Sequence, residues 1–196
     1  MENSMNIIRN KNELISSLTL GLQPDAENTE DMITRNTPYE GISACLMVFD
    51  ATPEGNYSVR HGIRRLLDME GITPEDAWEK AMKNIQKDTR VMSMSKALTG
   101  EENPDDELFV ITNAEKANGA SCILNEDVVR KFAQMHGTHR IAVLPSSRHE
   151  MLIVPHPYHI CESIDELSKL VKQVNESTVD PEDRLTDRAY TLYVQW

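Results

Sequence analysis

An α+β fold, with a mainly antiparallel sheet and helices packed on one face, is what this sequence predicts. Three observations carry that reading. Short apolar stretches recur in the second half, joined by turn-length polar segments that are too brief for parallel crossovers. Between them lie stretches with a single apolar stripe at helical spacing. Their order, β-β-α-β-β-α-β over residues 101–196, suits a sheet with helices on one side.

The elements follow in chain order. Residues 5–9 and 13–20 form either a hairpin around Asn10-Lys11-Asn12 or, in the second half of that stretch, a helix with Leu14, Ile15 and Leu18 on one face. Residues 21–40 contain Gly21, Pro24, Asp25, Asn28, Asn36 and Pro38 and read as loop. Ile42–Phe49 is continuously apolar and reads as a strand, closed by the turn Thr52-Pro53-Glu54-Gly55-Asn56. Ile63–Met69 is a short helix ending at Gly71, a left-handed cap. Thr73 caps a second helix, with Pro74 at its first position and Asp76 completing a near capping box. Ala77, Trp78, Ala81, Met82 and Ile85 are its buried stripe.

The charged run Gly100–Glu107 reads as a disordered loop or a boundary between lobes. Leu108–Thr112 is a strand, Asn113–Gly119 a turn, and Ala120–Leu124 a returning strand. Asn125 caps a helix that buries Val128, Val129, Phe132 and Ala133 and stops at Gly137. Arg140–Leu144 and Glu150–Val154 pair around Pro145-Ser146-Ser147-Arg148. Ser163-Ile164-Asp165-Glu166 is a capping box opening a helix that buries Ile164, Leu167, Leu170, Val171 and Val174. Ala189–Val194 is the last strand. The expected organisation is a strand and loop segment over 1–56, a helical segment over 57–100 and the β-β-α-β-β-α-β core over 101–196, within one compact domain.

Composition narrows the function classes. The 196 residues are 39% hydrophobic and carry a formal net charge of −12. Both ends are acidic and residues 57–99 mildly basic, with eight Lys/Arg against six Asp/Glu. A field of this sign repels nucleic acid and suits a partner with a basic surface. No apolar run reaches the roughly 18 residues that span a bilayer. The start Met1-Glu2-Asn3-Ser4 lacks the basic-then-apolar build of a secretory signal, so a cytoplasmic, non-membrane protein is expected. Three cysteines, Cys45, Cys122 and Cys161, are an odd number and argue against a disulfide scaffold.

One segment carries a resemblance. Leu144-Pro145-Ser146-Ser147-Arg148-His149-Glu150 resembles a signature of an uncharacterised bacterial and phage family, the domain of unknown function catalogued as DUF5688. Its further motifs are matched by Thr112-Asn113 with Gly119-Ala120, by Gly71-Ile72-Thr73-Pro74-Glu75, by Ala81 with Asn84, by Val174–Pro181 and by Leu185-Thr186-Asp187. The resemblance covers about residues 57–194. Arg148 stands where the family pattern has an apolar residue, and the N-terminal portion looks shorter than usual. The resemblance implies a mobile-element or gut-bacterial context and brings no established reaction.

Three groups of residues are candidates for chemistry. Ser146, Ser147, His149 and Glu150 place hydroxyls, an imidazole and a carboxylate within five residues, the group types a nucleophile and its base require. Strand alternation would turn His149 and Glu150 to opposite faces, and no Gly-rich oxyanion loop accompanies them. The alternative is a turn whose hydroxyls bond nearby backbone. His156, His159 and Cys161 are zinc-type ligands at a spacing that matches no standard finger, with His149 or Cys122 as a conceivable fourth. Arg60, His61, Arg64 and Arg65 form a basic stretch suited to phosphate or an acidic partner, or to pairing with Asp68 and Glu70. The acidic residues Glu101, Glu102, Asp105 and Asp106 would face a basic partner. No phosphate loop, dinucleotide fingerprint or calcium loop is present, so no cofactor is expected.

Two function classes follow. One is a non-enzymatic interaction protein of phage or mobile-element type, in its concrete form an acidic inhibitor of a host nucleic-acid-targeting defence enzyme, in the manner of an anti-CRISPR protein. The other is a small hydrolase or metal-dependent enzyme built on Ser146–Glu150.

Overall fold

The computed structural model of the chain describes residues 10–52, 55–160 and 163–196. The chain divides into two compact units, residues 1–87 and 88–196. Both are built on antiparallel sheets, as the α+β reading requires.

In the first unit, the open choice near the N-terminus resolves to a helix over the described residues. Asn10 accepts the amides of Asn12 and Glu13 and so caps α1, Lys11–Ser17, which buries Leu14. The chain then enters β1, Leu18–Pro24, in a region whose glycine and proline read as loop. Gly21 is used for close approach, because a Cβ there would sit 2.7 Å from Met47 Sδ. β2, Thr34–Asn36, and β4, Gly55–Val59, both pair with β3, Ile42–Thr52. β3 also pairs with β1 along Leu18↔Val48 to Pro24↔Ile42, which explains its continuous apolar character: residues 42–48 are buried on both faces. The expected turn after β3 falls partly on Pro53 and Glu54, outside the described residues.

Two helices complete this unit. α2, Ile63–Glu70, buries Ile63 and Leu67 and ends at Gly71, whose φ of +62° suits glycine. α3, Pro74–Asp88, starts where the capping box predicts: Asp76 N donates to Thr73 Oγ1 at 3.1 Å. Its buried stripe is Ala77, Trp78, Ala81 and Ile85, with Met82 half-buried. The Ala81–Asn84 pair acquires a structural meaning here. Ala81 is fully buried, and Asn84 Nδ2 donates to the carbonyls of Ile15 at 3.0 Å and Leu18 at 2.8 Å, which holds the C-terminal end of α1.

The second unit holds a five-stranded sheet in the order β5-β6-β8-β7-β9. The strands are β5, Arg90–Ser93; β6, Phe109–Thr112; β7, Arg140–Leu144; β8, Met151–Val154; and β9, Tyr190–Tyr193. The expected pair β7–β8 forms, with Leu144 opposite Leu152. Between β5 and β6 lies α4, Met94–Thr99, capped by Ser93. The charged segment 100–107 lies inside this unit, where Asp106 takes the amide of Ser95 at 3.0 Å and its hydroxyl at 2.8 Å.

Three expectations for this unit need correction. Residues Gly119–Leu124 form a 3-10 turn, not a returning strand. The run is apolar and short, so periodicity cannot tell strand from helix. Both edges of β6, its expected partner, are already taken by β5 and β8. The helices also cover both faces of the sheet. After the short helix α6, Pro157–Ile160, α7, Ile164–Thr178, packs Leu167 and Val171 against Ala142, Leu144 and Val154. α5, Glu126–Met135, places Phe132 edge-on to Phe109 with centroids 5.1 Å apart. Phe109 pairs with Ile153, and Ile153 with Val143, so all three share the face opposite Leu144. Of the expected buried residues on α7, Leu170 and Val174 are in fact exposed, at 43% and 47%.

Candidate functional site

The signature segment is a loop between β7 and β8, and strand β8 begins one residue after Glu150. Its conformation is set by its own hydroxyl and amides. Ser147 Oγ accepts the amide of His149 at 3.0 Å, and Ser147 N donates to the carbonyl of Glu150 at 3.2 Å. Pro145 is buried, while Ser146, Ser147, His149 and Glu150 are half-buried.

The loop is a junction of three chain segments. His149 O accepts the hydroxyl of Thr112 at 2.7 Å, and Arg148 O accepts the amide of Ala120 at 3.1 Å. Gly119 is squeezed between them: an added Cβ would lie 2.6 Å from Asn113 N and 2.8 Å from His149 O. Thus Thr112-Asn113, Gly119-Ala120 and Leu144–Glu150, separate motifs in sequence, meet at one point. The third segment is the turn Pro181–Asp183. Arg148 N donates to Asp183 O at 2.8 Å, and Arg148 Nε to Glu182 O at 2.7 Å. Arg148 is therefore a buried arginine that grips this turn, 7% exposed.

His149 has both ring nitrogens committed. Nδ1 lies 3.1 Å from the amide of Asn118, which can only donate, so Nδ1 accepts and the neutral ring carries its proton on Nε2. Nε2 lies 3.3 Å from Asp183 Oδ2. The imidazole bridges the Asn118 turn and the Asp183 turn. A general base needs a ring nitrogen open to the proton it removes, and this arrangement leaves none unengaged.

The other candidates separate. His156 and His159 stack with centroids 5.1 Å apart, and His159 Nδ1 lies 3.0 Å from Glu107 Oε1. Cys161 lies outside the described residues. Cys122 is buried in the 3-10 turn, and burial pushes its thiol up to about 11, away from the thiolate a metal requires. Among the described residues, no three His, Cys, Asp or Glu side chains are grouped to hold a metal ion. Arg60 precedes α2 rather than sharing it with Arg64, and each guanidinium is turned to an acceptor of the first unit. Arg60 Nη1 approaches Gln23 Oε1 and Arg64 Nη2 the Met32 carbonyl, each at 3.4 Å. Arg65 is exposed.

The acidic candidates lie elsewhere in the second unit. Glu102 and Asp106 form part of the wall of an apolar groove against α5. No sequence periodicity marks that groove, because its walls come from a strand, a loop and a helix.

With the geometry of the signature loop in place, its family can be stated. A family model described as "Family of unknown function (DUF5688)" matches residues 36–193. The chain belongs to that family. The match in the DUF5688 chain takes in Thr112, Gly119, Arg148, His149 and Asp183, so the whole junction lies within the family domain. No curated protein and no solved structure matches the chain. Among the described residues, no helix is long and apolar enough to cross a membrane.

Proposed function

We propose that this DUF5688 protein is a non-enzymatic macromolecular interaction protein, in which the signature loop holds the fold and another surface meets the partner. The observation that carries this reading is the double engagement of His149, by the Asn118 amide on Nδ1 and by Asp183 near Nε2. Ser147, the adjacent hydroxyl, is likewise engaged as the acceptor of the His149 amide. Groups spent on internal bonds stabilise a loop and are poorly placed to turn over a substrate. The net charge of −12 favours a partner with a basic surface. An inhibitor of a host nucleic-acid-targeting enzyme is the concrete form this takes, since such enzymes carry basic grooves that an acidic protein can fill.

The test pairs stability with partner recovery. Ser147→Ala and His149→Ala each lower unfolding stability by about 1 kcal/mol. Affinity capture from host cells, read by mass spectrometry, recovers the same partner with wild type and His149→Ala. Unchanged melting together with loss of the protein's effect in the host would overturn this reading in favour of an enzyme built on Ser146–Glu150.

A further inference from the structure

We propose that the groove of the second unit bounded by β5, the 102–106 segment and α5 docks a basic segment of a partner protein through one apolar or aromatic side chain. This names the surface and the partner class for the interaction reading above, and rests on it.

The groove has a volume of about 500 Å³, within the range of sites that bury a whole side chain or small ligand. Its floor is aromatic. Phe109 and Phe132 meet edge to face, and His136 packs on both, with centroids 4.8 Å and 4.5 Å away. Val91 of β5 lines it from the strand side. Met135 stands at the helix side and is 83% exposed, an unusual state for a large apolar residue. Methionine on an open apolar surface adapts to varied partner side chains.

Charge selects the occupant. The wall facing α5 is drawn from a segment that holds Glu101, Glu102, Asp105, Asp106 and Glu107, with no Lys or Arg between Lys96 and Lys116. Hydrogen bonds from Ser93 and Ser95 hold the Asp106 carboxyl below its usual range, so Asp106 keeps its charge in mildly acidic solution. Lys96 pairs with Glu102 at 2.6 Å, and Lys131 lines the helix side. Of the segment's carboxylates, Glu102 and Asp106 line the groove and Glu101 and Asp105 stand exposed beside it, and these two cations offset only part of that charge. Nucleic acid is repelled by such a wall, whereas Lys or Arg flanking an apolar anchor complements both the wall and the floor.

The experiment uses the full chain carrying 13C-methyl methionine and three twelve-residue peptides. The first has Lys and Arg around a single Trp. The second replaces that Trp with Ala, and the third replaces every Lys and Arg with Glu. The Trp peptide is expected to move the Met92 and Met135 methyl signals. The Ala peptide binds at least about fivefold more weakly, as loss of an interface anchor implies. The Glu peptide leaves the signals in place. Met135→Lys and Glu102→Lys, both at exposed positions, weaken the Trp peptide and leave the melting temperature unchanged. Absence of binding, shifts confined to Met47 and Met69, or equal binding of the Glu peptide would overturn the proposal. Host-cell capture separates the two readings. Undiminished recovery of the partner by Met135→Lys retires the groove and leaves the interaction reading standing.

Discussion

The backbone of Gly119 passes so close to His149 that a single added methyl would lie 2.8 Å from the His149 carbonyl oxygen. The same methyl would fall against Thr112 Oγ1, the hydroxyl that donates to that carbonyl. The position therefore admits no side chain unless the two segments part. Gly119→Ala is expected to destabilise the second unit by about 1–3 kcal/mol, the usual cost of overpacking. Urea unfolding checks it, and a midpoint equal to that of wild type would show that the junction is loose.

Arg148 makes a prediction for the turn at residues 181–183. Its Nε bond to the Glu182 carbonyl is made at a site only 7% exposed. Arg148→Leu supplies an apolar residue and removes that bond, leaving the carbonyl without this donor. A loss of about 1–3 kcal/mol is expected. Faster amide exchange at 181–184 should accompany it, because the Pro181–Asp183 turn loses the bond from Arg148 Nε. A stable Leu variant with unaltered exchange would mean that packing alone holds the turn.

Asn84 makes a separate prediction for the first unit. It closes the end of α1 through three carbonyls, those of Ile15, Ser16 and Leu18. Asn84→Ala should cost about 1 kcal/mol or more. It should speed amide exchange selectively over residues 11–18, with the second unit's exchange unchanged. Uniform acceleration across both units would argue against a local role.

His136 predicts a pH dependence. Burial against Phe109 and Phe132, helped by the nearby charge of His156, lowers its pKa from the ordinary 6.5. The folded state thus binds this proton less readily than the unfolded state does. The contribution is fully present above pH 6.5 and is lost as pH falls through the lower folded value. Melting temperatures recorded from pH 7.5 down to 5 should therefore decline, and His136→Gln should flatten that decline. An identical slope in the variant would place the pH sensitivity on other groups.

Much of the fold was legible residue by residue. Asn10, Thr73, Ser93 and Ser163 cap helices through local bonds that need no tertiary partner, and the Thr73 and Ser163 capping boxes could be read directly. Gly71 ends α2 for an equally local reason, a positive φ. The strands read over residues 42–49, 140–144 and 150–154 announced themselves through apolar runs bounded by turn residues. β1 and β5 did not: β1 contains Gly21 and Pro24, and β5 is four residues of mixed polarity. Both owe their strand state to a partner, β3 for one and β6 for the other.

The sequence by itself determined the α+β class, the helix starts, the acidity and the family to which the chain belongs. Tertiary structure alone decided the rest. It turned 119–124 into a 3-10 turn because β6 had no edge left to offer. It set α5 and α7 on opposite faces through the register of Phe109 and Leu144. It joined Thr112, Gly119, Arg148, His149 and Asp183 into one junction, although up to 71 residues separate them in the chain. Capping and periodicity act over one turn of chain and can be read locally, whereas hydrogen bonds between distant segments exist only once packing has brought those segments together.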